Sequence, residues 1–512
     1  MAIQAFPLGD FSAENDSSLS EYFLEDTQTY MCAEDIDDKR YILLGRTGSG
    51  KSAILSHVYE KFRNDNRYIC AYVRPGKSYL DAIVQTEAFH DLKQAEGLQH
   101  ILYKLIWHYI IMISVLREKY GANGPLKRNM PLIGEDLKAY KFLRKVQELS
   151  REDQTFFDII SDLIQEISIS LKGITIKGRK NESTSPYQVM RDLVKETEDF
   201  HKKGFWKVVG GSKLYLLFDD LDLGWNPKSE DQQLLLRGLF EIMKDYVYRD
   251  RVKPLIALRT DILDGLSLPQ KEKFENNILV IRWTKVNLER MLLLRLKNYG
   301  GLAEDDEFDR LFSYSEEQNP IDYMISRTLY RPRDLLAFCT YAINDASETG
   351  SSLIQMNHVI TAEKRYANSR LQALTDEWRY LYPCLNLLAK LLIKIIKNSC
   401  NLSLLKPKEL REVLIETKLR ILTAPDTNHQ YQGLKWFASY FPHDDQPDEI
   451  VQVLYRLGFI GYRQSVGNFI FSYEIEEMLD NVDKNTEFQI HPMLQSIPTN
   501  DFSFEEDENP WM

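Results

Sequence analysis

Gly45, Arg46, Thr47, Gly48, Ser49, Gly50, Lys51 and Ser52 match the pattern GxxxxGK[ST] at every fixed position. Few patterns of this length restrict a fold as strongly, because the chemistry requires a strand before the loop and a helix after it. Both are present: RYILL reads as a short buried strand, and SAILSHVYEKF spaces its apolar residues at the helical period. Glycines let successive N–H groups turn inward toward phosphates, and the helix N-terminus adds its dipole. The expected ligand is a nucleoside triphosphate, ATP or GTP. Lys51 is expected to reach the β/γ-phosphates, and the Ser52 hydroxyl to ligate Mg²⁺.

Further strand-length apolar runs follow. YICAYVRP, KLYLLFDD, VKPLIALRTD and NNILVIRW alternate with helical or turn sequence, which implies an α/β domain with a mainly parallel sheet. The core should span 39–285 behind an N-terminal arm at 1–38 whose apolar residues include Leu19, Tyr22 and Phe23. It is interrupted by a largely helical insertion at about 77–205, within which GITIKGRKNESTS suggests an exposed hairpin or loop. From Val286 the pattern turns helical, and 286–365 reads as a helical lid. The stretch 366–490 reads as helical and winged-helix-like. It ends in an amphipathic helix, a glycine turn and two short strands joined through Ser465 to Asn468. An acidic tail is expected over 491–512.

A phosphoryl-transfer site also needs a carboxylate at the end of a neighbouring strand to hold Mg²⁺. LYLLF ends on Asp219 and Asp220. Asp219 is the metal candidate. Asp220 stands where a carboxylate could polarise the attacking water, and Asp222 reads as structural. VKPLIALRTD should lie between the loop strand and the acidic strand, so that Arg259 or Thr260 could sense the γ-phosphate. The alternative is a salt bridge from Arg259 to Asp219 or Asp261. In YRPRD, Pro332 suits a first helical turn and leaves Arg331 and Arg333 at a helix N-terminus, where a cation costs about 0.3–1 kcal/mol unless an anion is near. Arg333 is the phosphate-sensing candidate, with Asp334 as an intrahelical alternative.

The net charge of −12 repels polyanions, so nucleic-acid binding would need a local basic patch. Arg456 and Arg463 are weighed against Asp444, Asp445, Asp448 and Glu449, and a nucleic-acid partner is not favoured. The windows Leu105–Leu116 and Leu385–Ile396 are interrupted by His108, Lys390 and Lys394 and fall short of the roughly 20 residues of a membrane span. They read as buried helices, and no membrane partner is expected. Five scattered cysteines without a CxxC pair and an N-terminus unlike a signal peptide fit the cytoplasm.

Taken in order, the phosphate loop, FDDLD, LRTD and RPRD make the chain resemble bacterial stand-alone P-loop ATPases of the AAA+/STAND-related class. Ala13-Glu14, Gly224-Trp225 after FDDLD and His491-Pro492-Met493-Leu494 add to the likeness. The resemblance implies a five-stranded parallel core, a helical lid, oligomerisation around ATP and occurrence in anti-phage defence systems. Asp220 departs from the glutamate common at that position, which implies slow or partner-stimulated hydrolysis. The leading expectation is a Mg²⁺-dependent ATPase switch coupling nucleotide state to homo-oligomerisation and a protein effector. Its rivals are an ATP-dependent DNA loader or remodeler that uses the winged helix, and a scaffold holding structural nucleotide.

Overall fold

The computed structural model describes residues 3–74, 99–120, 201–222, 225–227, 229–266, 272–314, 319–425, 429–441, 448–464, 467–475 and 485–499, with positions 134, 136, 137, 195 and 199. Two compact units emerge. One comprises Glu25–Arg46 and Lys51–Ile281; the other comprises Met1–Leu24, Thr47–Gly50 and Arg282–Met512. They are called here the sheet unit and the helical unit. The expected N-terminal arm is therefore divided after Leu24, and the tip of the phosphate loop groups with the helical unit.

The sheet unit is built on five parallel strands: β1 (Ile42–Leu44), β2 (Tyr68–Val73), β3 (Lys213–Phe218), β4 (Val252–Leu258) and β5 (Ile278–Val280), in the spatial order β2-β3-β4-β1-β5. β1 and β4 are buried along their whole length, as expected of parallel strands covered on both faces. The LRTD strand thus lies between the loop strand and the acidic strand. Much of the expected insertion, including the hairpin at GITIKGRKNESTS, lies outside the described residues. The helix Gln99–Tyr120 within it is described, and it packs on the helix Glu230–Val247. There the Trp107 indole donates to Leu235 O at 2.8 Å and the Tyr103 hydroxyl to Asp231 Oδ1 at 2.8 Å. A Cβ at Gly238 would come within 3.1 Å of Tyr103 Cβ, so the bare glycine permits this close crossing.

In the helical unit, one apolar cluster runs from Leu8 to Ile497. The expected lid and the winged-helix-like region share this core. The helix Met356–Trp378 carries buried residues along its length, and Leu385–Ser399 buries its leucines and isoleucines while Asn386, Lys390, Lys394 and Lys397 mark a more accessible stripe. The arm is fastened to the helix Lys285–Tyr299, where Arg295 pairs with Asp16 at 3.2 Å and donates to Leu8 O at 2.5 Å.

Near the C-terminus the helix Asp448–Leu457 precedes β6 (Ile460–Gln464). The expected second strand beyond Asn468 is reduced to a single bridge, Ile470 to Tyr462. The true antiparallel partner is β7 (Thr486–Ile490), with Ile460 opposite Ile490. β7 prevails because its alternation buries Thr486, Phe488 and Ile490, and Phe488 also exchanges backbone hydrogen bonds with Leu405 at 2.8 Å. The boundary drawn at 491 likewise falls inside packed structure: His491, Met493, Leu494 and Ile497 are buried. The acidic DFSFEEDENPWM lies outside the described residues. Among the described residues no helix is long and apolar enough to cross a membrane.

Candidate functional site

Gly45 follows β1, and the helix Lys51–Phe62 starts six residues later. Gly48 and Gly50 take φ of +80° and +100°, values that side-chain-bearing residues resist. Lys51 Nζ donates to Gly45 O at 2.9 Å and Arg46 O at 3.1 Å, so its ammonium is drawn back across the loop that precedes it. Ser52, one residue on, donates to Asp219 Oδ1 at 3.2 Å.

Asp219 ends the chain's passage along β3 and is 3% exposed. Tyr72 on β2 donates to its Oδ2 at 3.0 Å, and the Asp220 amide to its Oδ1 at 3.1 Å. Burial pushes the Asp219 pKa up despite these hydrogen bonds and the nearby Arg74 guanidinium. Asp220 adopts a left-handed φ of +57°, which aspartate tolerates better than most residues, and its carboxylate oxygen lies within 4.8 Å of that of Asp219. Such outliers concentrate where a site overdetermines the backbone.

Arg259, directly after β4, is gripped by Asp261 at 2.8 and 2.6 Å and by Asp222 at 3.4 Å. This is the ion-pair alternative. The fork of Asp261 occupies the Nε–Nη2 edge of the guanidinium, and Thr260 opens the short helix Thr260–Gly265.

Within the helical unit, the loop tip Thr47–Gly50 is held by side chains from three places. Arg331 caps the helix Pro332–Glu348, with Pro332 at its first position. Its Nη1 donates to Thr47 O at 3.0 Å and pairs with Glu377 Oε2 at 3.1 Å, while its Nε pairs with Asp334 Oδ2 at 2.9 Å. Burial works against the charge on Arg331, but Asp334 and Glu377 outweigh it and raise its pKa. Thr47 N donates to Glu377 Oε1 at 3.4 Å, and the Trp283 indole donates to Ser49 O at 2.8 Å. Asp334 also takes Arg370 at 3.1 Å, so the carboxylate weighed as the partner of Arg333 serves Arg331 and Arg370 instead. Arg333 packs against the glycine: a Cβ at Gly48 would stand 2.9 Å from Arg333 Cβ. Its Nη2 donates to Phe11 O at 3.3 Å, and burial lowers its pKa.

These residues fit a bound triphosphate. Thr47 Oγ1 and Ser49 Oγ are buried without a hydrogen-bond partner among the described residues, and such groups cost free energy unless a ligand or water pairs with them. The donor set of Ser52 and Asp219 is all oxygen, the preference of Mg²⁺. Glu377, Trp283 and Tyr72 were not apparent from the sequence. Glu377 lies over three hundred residues from the loop and belongs to no motif, whereas Trp283 directly follows the last core strand's NNILVIR and could have been suspected from that position.

Comparisons with known proteins add the following. Residues 286–375 match the family described as the FunZ-associated C-terminal helical domain. The chain is 23% identical over 506 residues to the transposon gamma-delta 80.3 kDa protein of Escherichia coli K12, covering 95% of this chain. It spans 66% of that relative's length, under two thirds. Among solved structures it is similar to Cdc6p from Pyrobaculum aerophilum, with 14% identity, TM-score 0.28, and coverage of 89% of this chain and 86% of that one. The Aeropyrum pernix ORC2 protein gives 13% identity, TM-score 0.31, and coverage of 97% and 96%. The Drosophila ORC bound to DNA gives 12%, 0.29, and coverage of 91% and 83%. Scores this low do not establish a shared fold.

Proposed function

We propose that this chain is an AAA+-type P-loop ATPase that binds Mg²⁺–ATP at Gly45–Ser52 and acts as a switch, coupling nucleotide state to self-association and to a protein effector. The observation that carries the reading is the convergence of Ser52 Oγ and Asp219 Oδ1 at 3.2 Å beside Lys51, two chain-distant oxygen donors meeting where the motif requires a metal. In this reading Lys51 and the loop amides hold the phosphates, and Ser52 and Asp219 hold the metal. When bound, Mg²⁺–ATP supplies the phosphoanhydride bond and the charge that the loop neutralises. Asp220 orients and polarises the attacking water. Being one methylene shorter than glutamate, it makes slow or partner-stimulated turnover the expectation. The anti-phage setting rests on the bacterial resemblance alone.

The test is a calorimetric titration of ATP with Mg²⁺ into the parent and Lys51→Ala proteins. Lysine's point charge on the triphosphate is expected to be worth at least about 2 kcal/mol, so the variant should bind more than about thirtyfold more weakly. A folded variant with the parent's affinity would refute the assignment.

A further inference from the structure

The grip on the loop tip is more elaborate than an ordinary turn requires. Arg331 and Glu377 are 4% and 7% exposed, and neither faces solvent or needs a phosphate to be paired. Breaking one member of such a buried charged network leaves another uncompensated, so the arrangement is fixed tightly. It ends on backbone atoms of Thr47, while Trp283 ends on the backbone of Ser49. Backbone contacts constrain loop conformation whatever side chains the loop carries. Between these two points lies Gly48 at φ +80°, and Arg333 packs against it.

We propose that Arg331, Glu377 and Trp283 are positioning residues: a three-point latch that holds Thr47–Gly50 in the shape that accepts phosphates, so that the helices Pro332–Glu348 and Met356–Trp378 set how tightly nucleotide is held. The inference rests on the nucleotide-binding reading above. It assigns Arg331 a role distinct from phosphate sensing, because its guanidinium is engaged by Asp334, Glu377 and Thr47 O. A latch acts on the loop's freedom before ligand arrives. Loosening it should therefore weaken binding and leave the chemical step at saturation little changed, which separates it from a residue that acts in the transition state.

The test uses the full chain with Glu377→Gln. A glutamine oxygen is neutral, and the amide nitrogen that replaces the second oxygen only donates, so the side chain cannot offer one acceptor to Arg331 and another to Thr47 N–H as the carboxylate does. Without nucleotide, hydrogen exchange at the Thr47–Gly50 amides should quicken about tenfold, and ATP affinity by calorimetry should fall about tenfold, the scale of one lost charge-assisted hydrogen bond. The kcat at saturating ATP should stay within about twofold. Trp283→Phe, which removes only the indole donor, should shift exchange and affinity in the same direction by about threefold, and it decides the matter if the glutamine variant does not fold. Folded variants with lowered melting temperature but the parent's loop exchange and affinity would reduce the network to structural support and overturn the latch. Lys51→Ala, run in parallel, keeps the two ideas apart. If it binds ATP like the parent the nucleotide reading fails, while the exchange rates still report on the latch.

Discussion

The Asp219 carboxylate accepts from Ser52, Tyr72 and the Asp220 amide, yet its burial still raises its pKa above the ordinary aspartate value of 3.8. The folded state therefore holds a proton more tightly than the unfolded chain, and stability falls as pH rises through the interval above 3.8. Wherever the carboxylate is ionised, its buried charge opposes folding, and a bound cation would offset that cost. Asp219→Asn should consequently raise the thermal midpoint of the protein alone at pH 7 while abolishing the Mg²⁺-dependent gain in ATP affinity. A lower midpoint, or retained Mg²⁺ dependence, would count against a metal-holding role. Asp219 was legible because it ends an apolar run, and its neighbours in the chain announce a strand end. The loop's latch was not, since nothing local to Glu377 within TDEWRY distinguishes it from a solvated acid on a helix.

Elements show the same division between local and distant causes. β4 reads as an apolar strand, but Lys253 near its start is 1% exposed and donates to Cys32 O, Asp38 O and Arg40 O at 2.9, 2.6 and 3.0 Å. The lysine thus ties the segment entering β1 to the centre of the sheet. Burial lowers its pKa to about 8, against attraction from Asp38. With a depressed folded pKa, the native state binds fewer protons than the unfolded chain between about 8 and 10.5, so stability should rise with pH across that interval. Lys253→Met should lose at least about 2 kcal/mol in denaturant unfolding at pH 7, because three carbonyls lose their donor, and it should lack the rise above pH 8. Equal stability of the two proteins would mean the carbonyls find other partners. β7 was missed for a related reason: TEFQI is five residues long with polar alternates, and its identity as a strand comes from β6 and Leu405, each remote in sequence.

For the whole molecule, the net charge of −12 opposes nonspecific attraction to nucleic acid and to a second copy of the chain alike, so the proposed self-association has to rest on local contacts. In the proposed switch, Arg333 is the residue that would connect nucleotide to assembly. It lies in the first turn of a helix, where the dipole disfavours its charge. Burial lowers its pKa, and its stem packs on Gly48 of the loop tip. A γ-phosphate would offset both penalties, so the state with ATP bound should differ in free energy from the empty state through this side chain. A ligand shifts an equilibrium only by its differential contact with the two states. Light scattering on the parent should therefore show a larger mass with ATP or a slowly hydrolysed analogue than without. With nucleotide saturating, Arg333→Ala should lose most of that increase, by a factor of about ten or more in the association constant, as a 1.4 kcal/mol loss of coupling implies. If both proteins keep one mass with nucleotide demonstrably bound, the assembly switch is wrong, and the nucleotide is a structural element of a scaffold.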